Sequence, residues 1–273
     1  MKANSITLAL GLACLLITTA STAAQTPRSG GSLTYGVETE PAPLNPQLNG
    51  QSKAEVTLRN VWESLLARGI DGSFVPWLAT SYEVSPDGKI YRFTLRRDVT
   101  FSNGEKLDAN AVAENFRHVQ DAKYCAGTSI CALSARIASV TTPDNDTVLI
   151  TLKQGYAPFL SFAAKLQILA HASWNSPQLK ASGKDIARTG PFIIESYEKG
   201  QQLTLVRNPH YNWAPATAHH QGPAYLERVT YRFLPESSVR TGALLSGQLD
   251  VIEGISGNDA SAFKDNADFT YQH

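Results

Sequence analysis

The sequence predicts an α/β fold, and three observations carry that prediction. Segments with a period of two alternate with segments of helical period along the chain. Over residues 78–101 apolar positions alternate on both sides of Ser85-Pro86-Asp87-Gly88, a sequence of strong turn formers, so a hairpin is expected there. With 273 residues, 42% hydrophobic and 18% charged, and no repeat or low-complexity segment, the chain is globular and long enough for one large core or two lobes.

Each element has its own warrant. Residues 33–37 read as a short strand running into the loop ETEPAPLNPQLNG, residues 38–50, where Pro41, Pro43 and Pro46 exclude helix and hold the backbone extended. Leu58, Val61, Trp62, Leu65 and Leu66 recur at helical spacing, so a helix is expected, stopped by Gly69. In the hairpin, Tyr82 and Val84 precede the turn and Tyr91, Phe93 and Leu95 follow it, while Arg92, Thr94 and Arg96 face the other way. Asn103-Gly104 makes a second turn. Asp108 is placed to cap a helix with Val112, Phe116 and Val119 on one face.

The second half follows the same logic. Pro143-Asp144-Asn145-Asp146 turns into a strand at 147–152, whose apolar face is Val148, Ile150 and Leu152. Residues 156–169 are expected to be helical, begun by Pro158. A polar, Gly-containing stretch at 181–189 reads as a boundary between lobes. Strands are then expected at 190–196, 202–207, 229–233 and 249–252, with a helix at 238–245 ended by Gly247.

Residues 1–24 have the pattern of a secretory signal peptide: Lys2, an apolar run at 6–17, and Thr22-Ala23-Ala24 before Gln25. The run is too short to span a bilayer. Cys14 lies inside it after Gly11-Leu12-Ala13, a poor lipidation sequence, so soluble export is the preferred reading. The chain has 24 basic and 24 acidic residues, and loss of Lys2 leaves a formal charge of −1. No nucleic-acid partner is indicated by that balance. Two cysteines remain, Cys125 and Cys131, and an even pair in an exported chain suggests a short-loop disulfide rather than a metal site.

Residues able to carry chemistry each have a plainer competitor. Ser261-Ala262-Phe263-Lys264 matches a short serine–lysine pattern, but neither Ser-Asp-Asn nor Lys-Thr-Gly follows. Asp144 and Asp146 are turn residues without the rest of a calcium loop. His219 and His220 are adjacent and have no evident third ligand, so a solvated loop is the simpler reading. Of Trp62, Trp77, Trp174 and Trp213, Trp62 falls on an apolar face and is expected in the core. No nucleophile, base and orienting group come together. The pattern is that of a binder with no cofactor and no metal.

Longer motifs support a family resemblance. LATSYEVSPDGKIYRFTLRRDVTFSNGEKLDANAV, TGPFIIESYEKGQQLTLVRNPHYNW and VTYRFLPESSVRTGALLSGQLDVIEGI occur in that order, and ETEPAPLNP precedes them. The chain thereby resembles bacterial extracellular solute-binding protein family 5, the peptide- and nickel-binding receptors of ABC importers, over about residues 32–258. It departs at Asn45, Asn103 and Asp108, where the family usually has Asp, Asp and Thr; all are swaps that turns or caps tolerate.

The resemblance implies a periplasmic-binding-protein-like, type II, two-lobed fold. Residues 25–54 and 187–258 would form the first lobe, 55–186 a small β-rich subdomain, and 259–273 the start of the crossover to a second lobe missing here. It implies a periplasmic, monomeric receptor that closes by hinge motion on an oligopeptide and docks on membrane permease subunits. On this chain the implied contacts are Glu38, Thr39, Glu40, Leu44 and Asn45 in the first loop, and Thr189, Gly190 and Phe192 at the boundary. The carboxylate that family members place on the peptide amino group would lie beyond His273, so weak binding is expected of this chain alone. Nickel chelate, opine or sugar are alternative ligands, and a secreted hydrolase is an alternative class.

Overall fold

The computed structural model describes residues 27–49, 51–264 and 266–272, so the expected leader at 1–24 lies outside the described residues. In chain order the first half holds β1 (Ser32–Val37), α1 (Glu55–Leu58), β2 (Leu66–Arg68), β3 (Phe74–Pro76), β4 (Ala79–Val84), β5 (Ile90–Leu95), α2 (Ala109–His118), α3 (Ala122–Cys125) and α4 (Ser129–Ser134). The second half holds β6 (Ile137–Asp144), β7 (Thr147–Leu152), α5 (Phe159–Ala163), β8 (Phe192–Glu198), β9 (Gln202–Arg207), β10 (Arg228–Phe233), α6 (Ser237–Leu245), β11 (Val251–Ile252) and α7 (Gly257–Ala260).

Two sheets organise these elements. The larger has the order β11-β1-β10-β9-β8. β1, second from one edge, runs parallel to both neighbours, with Val37 beside Phe233 and Gly36 beside Ile252. β9 is antiparallel to β10 and to β8. The smaller sheet, β4-β5-β7-β6, is antiparallel throughout and carries α2 against β6 and β7. The β2–β3 hairpin stands between the sheets in the chain.

The expected hairpin forms between β4 and β5. Gly88 takes the left-handed conformation (φ 66°), its N–H donates to Ser85 O at 2.8 Å, and Ser85 Oγ bonds Asp87 Oδ1 at 2.6 Å. β5 buries Tyr91, Phe93 and Leu95 and leaves Arg92 exposed, as period two requires. Val84 departs from that pattern and is exposed, on the outer strand of its sheet. Asp108 caps α2 by accepting from Ala111 N at 2.8 Å, and Val112, Phe116 and Val119 are buried. Phe116, Phe159, Phe162 and Tyr91 form an aromatic cluster with centroids 4.6–6.4 Å apart.

Two expected helices are largely absent. α1 stops at Leu58, and Leu66 belongs to β2. Leu58, Val61, Trp62, Leu65 and Leu66 are all buried, but on several sides, so their spacing reflected burial and not one helical face. Pairing won over local propensity: Glu63 O accepts from Ile168 N at 2.9 Å, and Ser64 bridges Gln167. The same pairing explains why residues 156–169 are helical only over Phe159–Ala163, since Leu166, Ile168 and Leu169 run through the core as irregular chain. Residues 181–189 contain turns and no regular element, although Ile186 to Thr189 are buried. Cys125 and Cys131 are joined Sγ to Sγ, with Cα atoms 5.3 Å apart, across the α3–α4 connection.

Candidate functional site

β1, β10 and β11 run parallel, so all three end on one edge of the large sheet, and three loops leave from it. In open α/β sheets a crevice outside the carboxyl ends of parallel strands is the ordinary place for a ligand. Here the edge is built from Glu38 after β1, Leu234 to Glu236 after β10, and Glu253 to Ser256 after β11.

Arg240 organises that edge. It is a buried residue of α6 whose guanidinium donates to four carbonyls: Glu253 O at 2.9 Å, Pro235 O at 2.8 Å, Gly254 O at 2.6 Å, and Leu234 O. Planar, five-donor geometry suits Arg to gathering two loops at once. Ser237 Oγ and Ser256 Oγ each donate to Asp259 Oδ2 at 2.6 Å, and Ser256 N donates to Ser237 Oγ at 2.8 Å, which ties the start of α6 to the start of α7.

The side chains this scaffold presents are charged. Lys53 Nζ donates to Glu38 Oε2 at 2.5 Å, and that hydrogen bond, with the ammonium charge, holds the partly exposed Glu38 carboxyl below its usual range. Glu253 is pushed the other way by burial, and its Oε1 has no hydrogen-bond partner. Glu40 accepts from Tyr197 Oη at 2.5 Å and from Gly200 N at 2.9 Å, which fixes its loop to the β8–β9 turn. Burial, then the Glu40 carboxylate, raise the Tyr197 hydroxyl well above the usual phenol range. An edge of this kind offers carboxylate acceptors and one ammonium. It can hold a polar solute by charge and hydrogen bonds.

The expected site residues fall into three places. Glu38, Thr39 and Glu40 lie together, partly exposed, at this carboxyl edge. Leu44 and Asn45 are 0% exposed: Leu44 O accepts from Trp62 Nε1 at 3.1 Å, and Asn45 is bonded within the small subdomain. Thr189, Gly190 and Phe192 sit at the opposite end of the sheet, since Phe192 pairs with Arg207 while Glu198 pairs with Gln202 near the crevice. They pack on the segment after α1, with Gly190 N donating to Val61 O at 3.1 Å and Phe192 N to Asn60 O at 3.0 Å. A Cβ on Gly190 would come within 2.6 Å of Val61 backbone, so the position needs glycine for close approach. Lys53, Arg240, Glu253 and Gly254 were not foreseen. Strand-end position could have found Glu253 and Gly254, which follow β11; no sequence signal pointed to Lys53, just ahead of α1, or to Arg240, inside α6.

Other flagged residues take structural parts. Trp213 Nε1 donates to Glu63 Oε2 at 2.8 Å in the interior, and Asp146 pairs with Arg97. His220 lies on Tyr225, with centroids 4.2 Å apart, and Ser261 Oγ donates to Asn258 O at 3.1 Å. Among the described residues no group of three His, Cys, Asp or Glu is placed to hold a metal ion, and no helix is long and apolar enough to cross a membrane.

Fold and edge define the class: an α/β sheet with three parallel strands ending on one edge, beside a smaller antiparallel sheet, the architecture of periplasmic binding proteins. Two solved structures share it. A binding protein in complex with agropinic acid from A. tumefaciens R10 is 26% identical, with a TM-score of 0.77 over 87% of this chain and 46% of its own. An ABC transporter-associated periplasmic binding protein from Helicobacter pylori, in complex with the peptide STSA, is 26% identical, with a TM-score of 0.75 over 88% of this chain and 50% of its own. In sequence, the nickel-binding periplasmic protein of Escherichia coli K12 is 34% identical over 218 residues, which is 79% of this chain and 40% of that relative. The family model for bacterial extracellular solute-binding proteins, family 5, matches residues 73–273, and the chain belongs to that family. It spans about half the length, or less, of the relatives it matches.

Proposed function

We propose that this chain supplies one wall of the solute crevice of a periplasmic receptor that hands oligopeptides to an ABC importer. The observation that carries the reading is the carboxyl edge of β1, β10 and β11, where Glu38, Glu253 and Lys53 stand beside loops gathered by Arg240. A peptide carries an ammonium and a carboxylate on an extended backbone, and this edge offers groups of both signs. A solute bridging this wall and an opposing lobe favours the closed arrangement, which is how closure reports ligand to a permease. Family membership and a relative in complex with a peptide support the same reading.

A second reading, nickel chelate, is favoured by one observation, the 34% identity to a nickel-binding protein. Both are tested by amide NMR on residues 25–273. Tetra-alanine at millimolar concentration is expected to shift Glu38, Thr39, Glu40, Glu253 and Gly254, and Glu38→Gln is expected to weaken the response. No response up to about 10 mM, where even very weak binding shows, or shifts confined to the far end of the sheet, would sink the peptide reading. Saturation by nickel–histidine at the same amides, with no response to peptide, would replace it by the second.

A further inference from the structure

The crevice pair Glu38 and Lys53 stands at the two ends of one strap of chain, and the middle of that strap is buried in the small subdomain. At its centre Gln47 spends every polar atom of its side chain. Its Nε2 donates to Asn115 Oδ1 at 2.7 Å and to Gln167 O at 2.7 Å, and its Oε1 accepts from Tyr124 Oη at 3.0 Å. Asn45 Nδ2 donates to the same Tyr124 Oη at 3.0 Å and to Leu179 O at 2.9 Å, while Asn45 Oδ1 accepts from Gln47 N at 3.0 Å. Asn115 closes the cluster: its Nδ2 donates to Ala111 O and Leu169 O, each at 2.8 Å, and its Oδ1 also accepts from Leu169 N at 2.9 Å. Asn45, Gln47 and Asn115 are essentially fully buried.

Buried polar groups satisfied this completely specify one arrangement of the segments that contribute them. The strap has a second tether near its start, where Tyr197 and Gly200 of the large sheet bond Glu40. It therefore spans two bodies: Glu38 and Glu40 belong to the large sheet, and Asn45 and Gln47 belong to the α2–α3 side of the small subdomain.

We infer that Gln47, Asn115 and Tyr124 are positioning residues for the crevice, holding the strap so that Lys53 meets Glu38. They touch no solute. The small subdomain thereby sets the geometry of a site it does not line, an inference resting on the reading of Glu38 and Lys53 as solute contacts.

The test compares Gln47→Met and the milder Tyr124→Phe with Phe116→Leu, a core truncation in the same subdomain that removes no bond to the strap. Amide shifts are read first without solute. Both network variants are expected to move Glu38, Thr39, Glu40 and Lys53, and Phe116→Leu to leave them in place. With tetra-alanine added, the apparent affinity at those amides is expected to drop by about threefold or more in the network variants, the scale of coupling that remote residues carry. Strap amides that stay put in Tyr124→Phe, or that move equally in Phe116→Leu, would overturn the inference. Because the first readout needs no solute, a failure of the functional reading would show separately, as a wild-type chain that ignores peptide.

Discussion

Glu63 is the residue whose surroundings most exceed what its sequence position announces. It is fully buried, accepting from Tyr211 Oη at 2.6 Å and Trp213 Nε1 at 2.8 Å, from residues 148 and 150 positions away. Burial pushes its carboxyl up to about 8, against the opposing pull of those hydrogen bonds. Trp77 and Thr189 lie close by, and Arg96 is the cation that senses it. An acid whose folded value lies above its unfolded one lends stability below the unfolded value, about 4.5, and loses it as pH rises to about 8. Urea unfolding of the wild type should therefore weaken across that window, by up to about 1.4 kcal/mol per pH unit at the steepest. Glu63→Gln, which can still accept from Trp213, should flatten the slope and gain on the wild type at pH 9 relative to pH 5. An unchanged difference between the two proteins at both pH values would contradict this account.

Gly190 makes the complementary point at the same scale. With Val61 backbone 2.6 Å from where a Cβ would stand, Gly190→Ala should cost about 2–3 kcal/mol, measured as a lower urea midpoint. Neither role was legible in the sequence: Gly190 was expected as a solute contact, and it serves instead for close approach of two backbones. Glu63 sits among apolar residues of helical spacing and looks like a solvated helix position, and what makes it special arrives from the far end of the chain.

At the level of elements, local chemistry was readable and long-range pairing was not. The Ser85–Gly88 turn, the alternation along β5 and the Asp108 cap form as their residues dictate, because each depends on neighbours within a few positions. Asp108→Ala should accordingly lower stability by about 1 kcal/mol and leave the fold intact by circular dichroism. The shortened helices at 58–66 and 156–169 are the converse case. Each meets the other through the Ser64–Gln167 bridge, and a buried segment bonded to a distant one carries no period that sequence alone can sort. The α3–α4 connection adds a covalent element. Replacing Cys125 and Cys131 together by Ser should cost about 2 kcal/mol for so short a loop, with Tyr124, next to Cys125, the first aromatic signal to shift.

At the scale of the whole molecule, the α/β class followed from the alternation of strand and helix segments, and the grouping of residues at the strand ends did not. Proline-rich sequence pointed to the loop after β1, but only the parallel register shows that Glu38 lies beside Glu253 and away from Thr189, Gly190 and Phe192. A solute that needs an opposing lobe gains little from one wall, so residues 25–273 should bind tetra-alanine far more weakly than about 1 μM in calorimetry. Micromolar binding would mean that the described wall is a complete site.

The place of β1 in its sheet bears on how the molecule comes to exist. This first strand has for neighbours only β10 and β11, roughly two hundred residues later in the chain, a sequence separation that makes closure slow. Residues 79–152 can pair locally and early, while β1 must wait, unpaired, until residues 228–233 have been made. The crevice is thus assembled last, and a ribosome-bound chain should show a protected small sheet long before it shows a protected first strand.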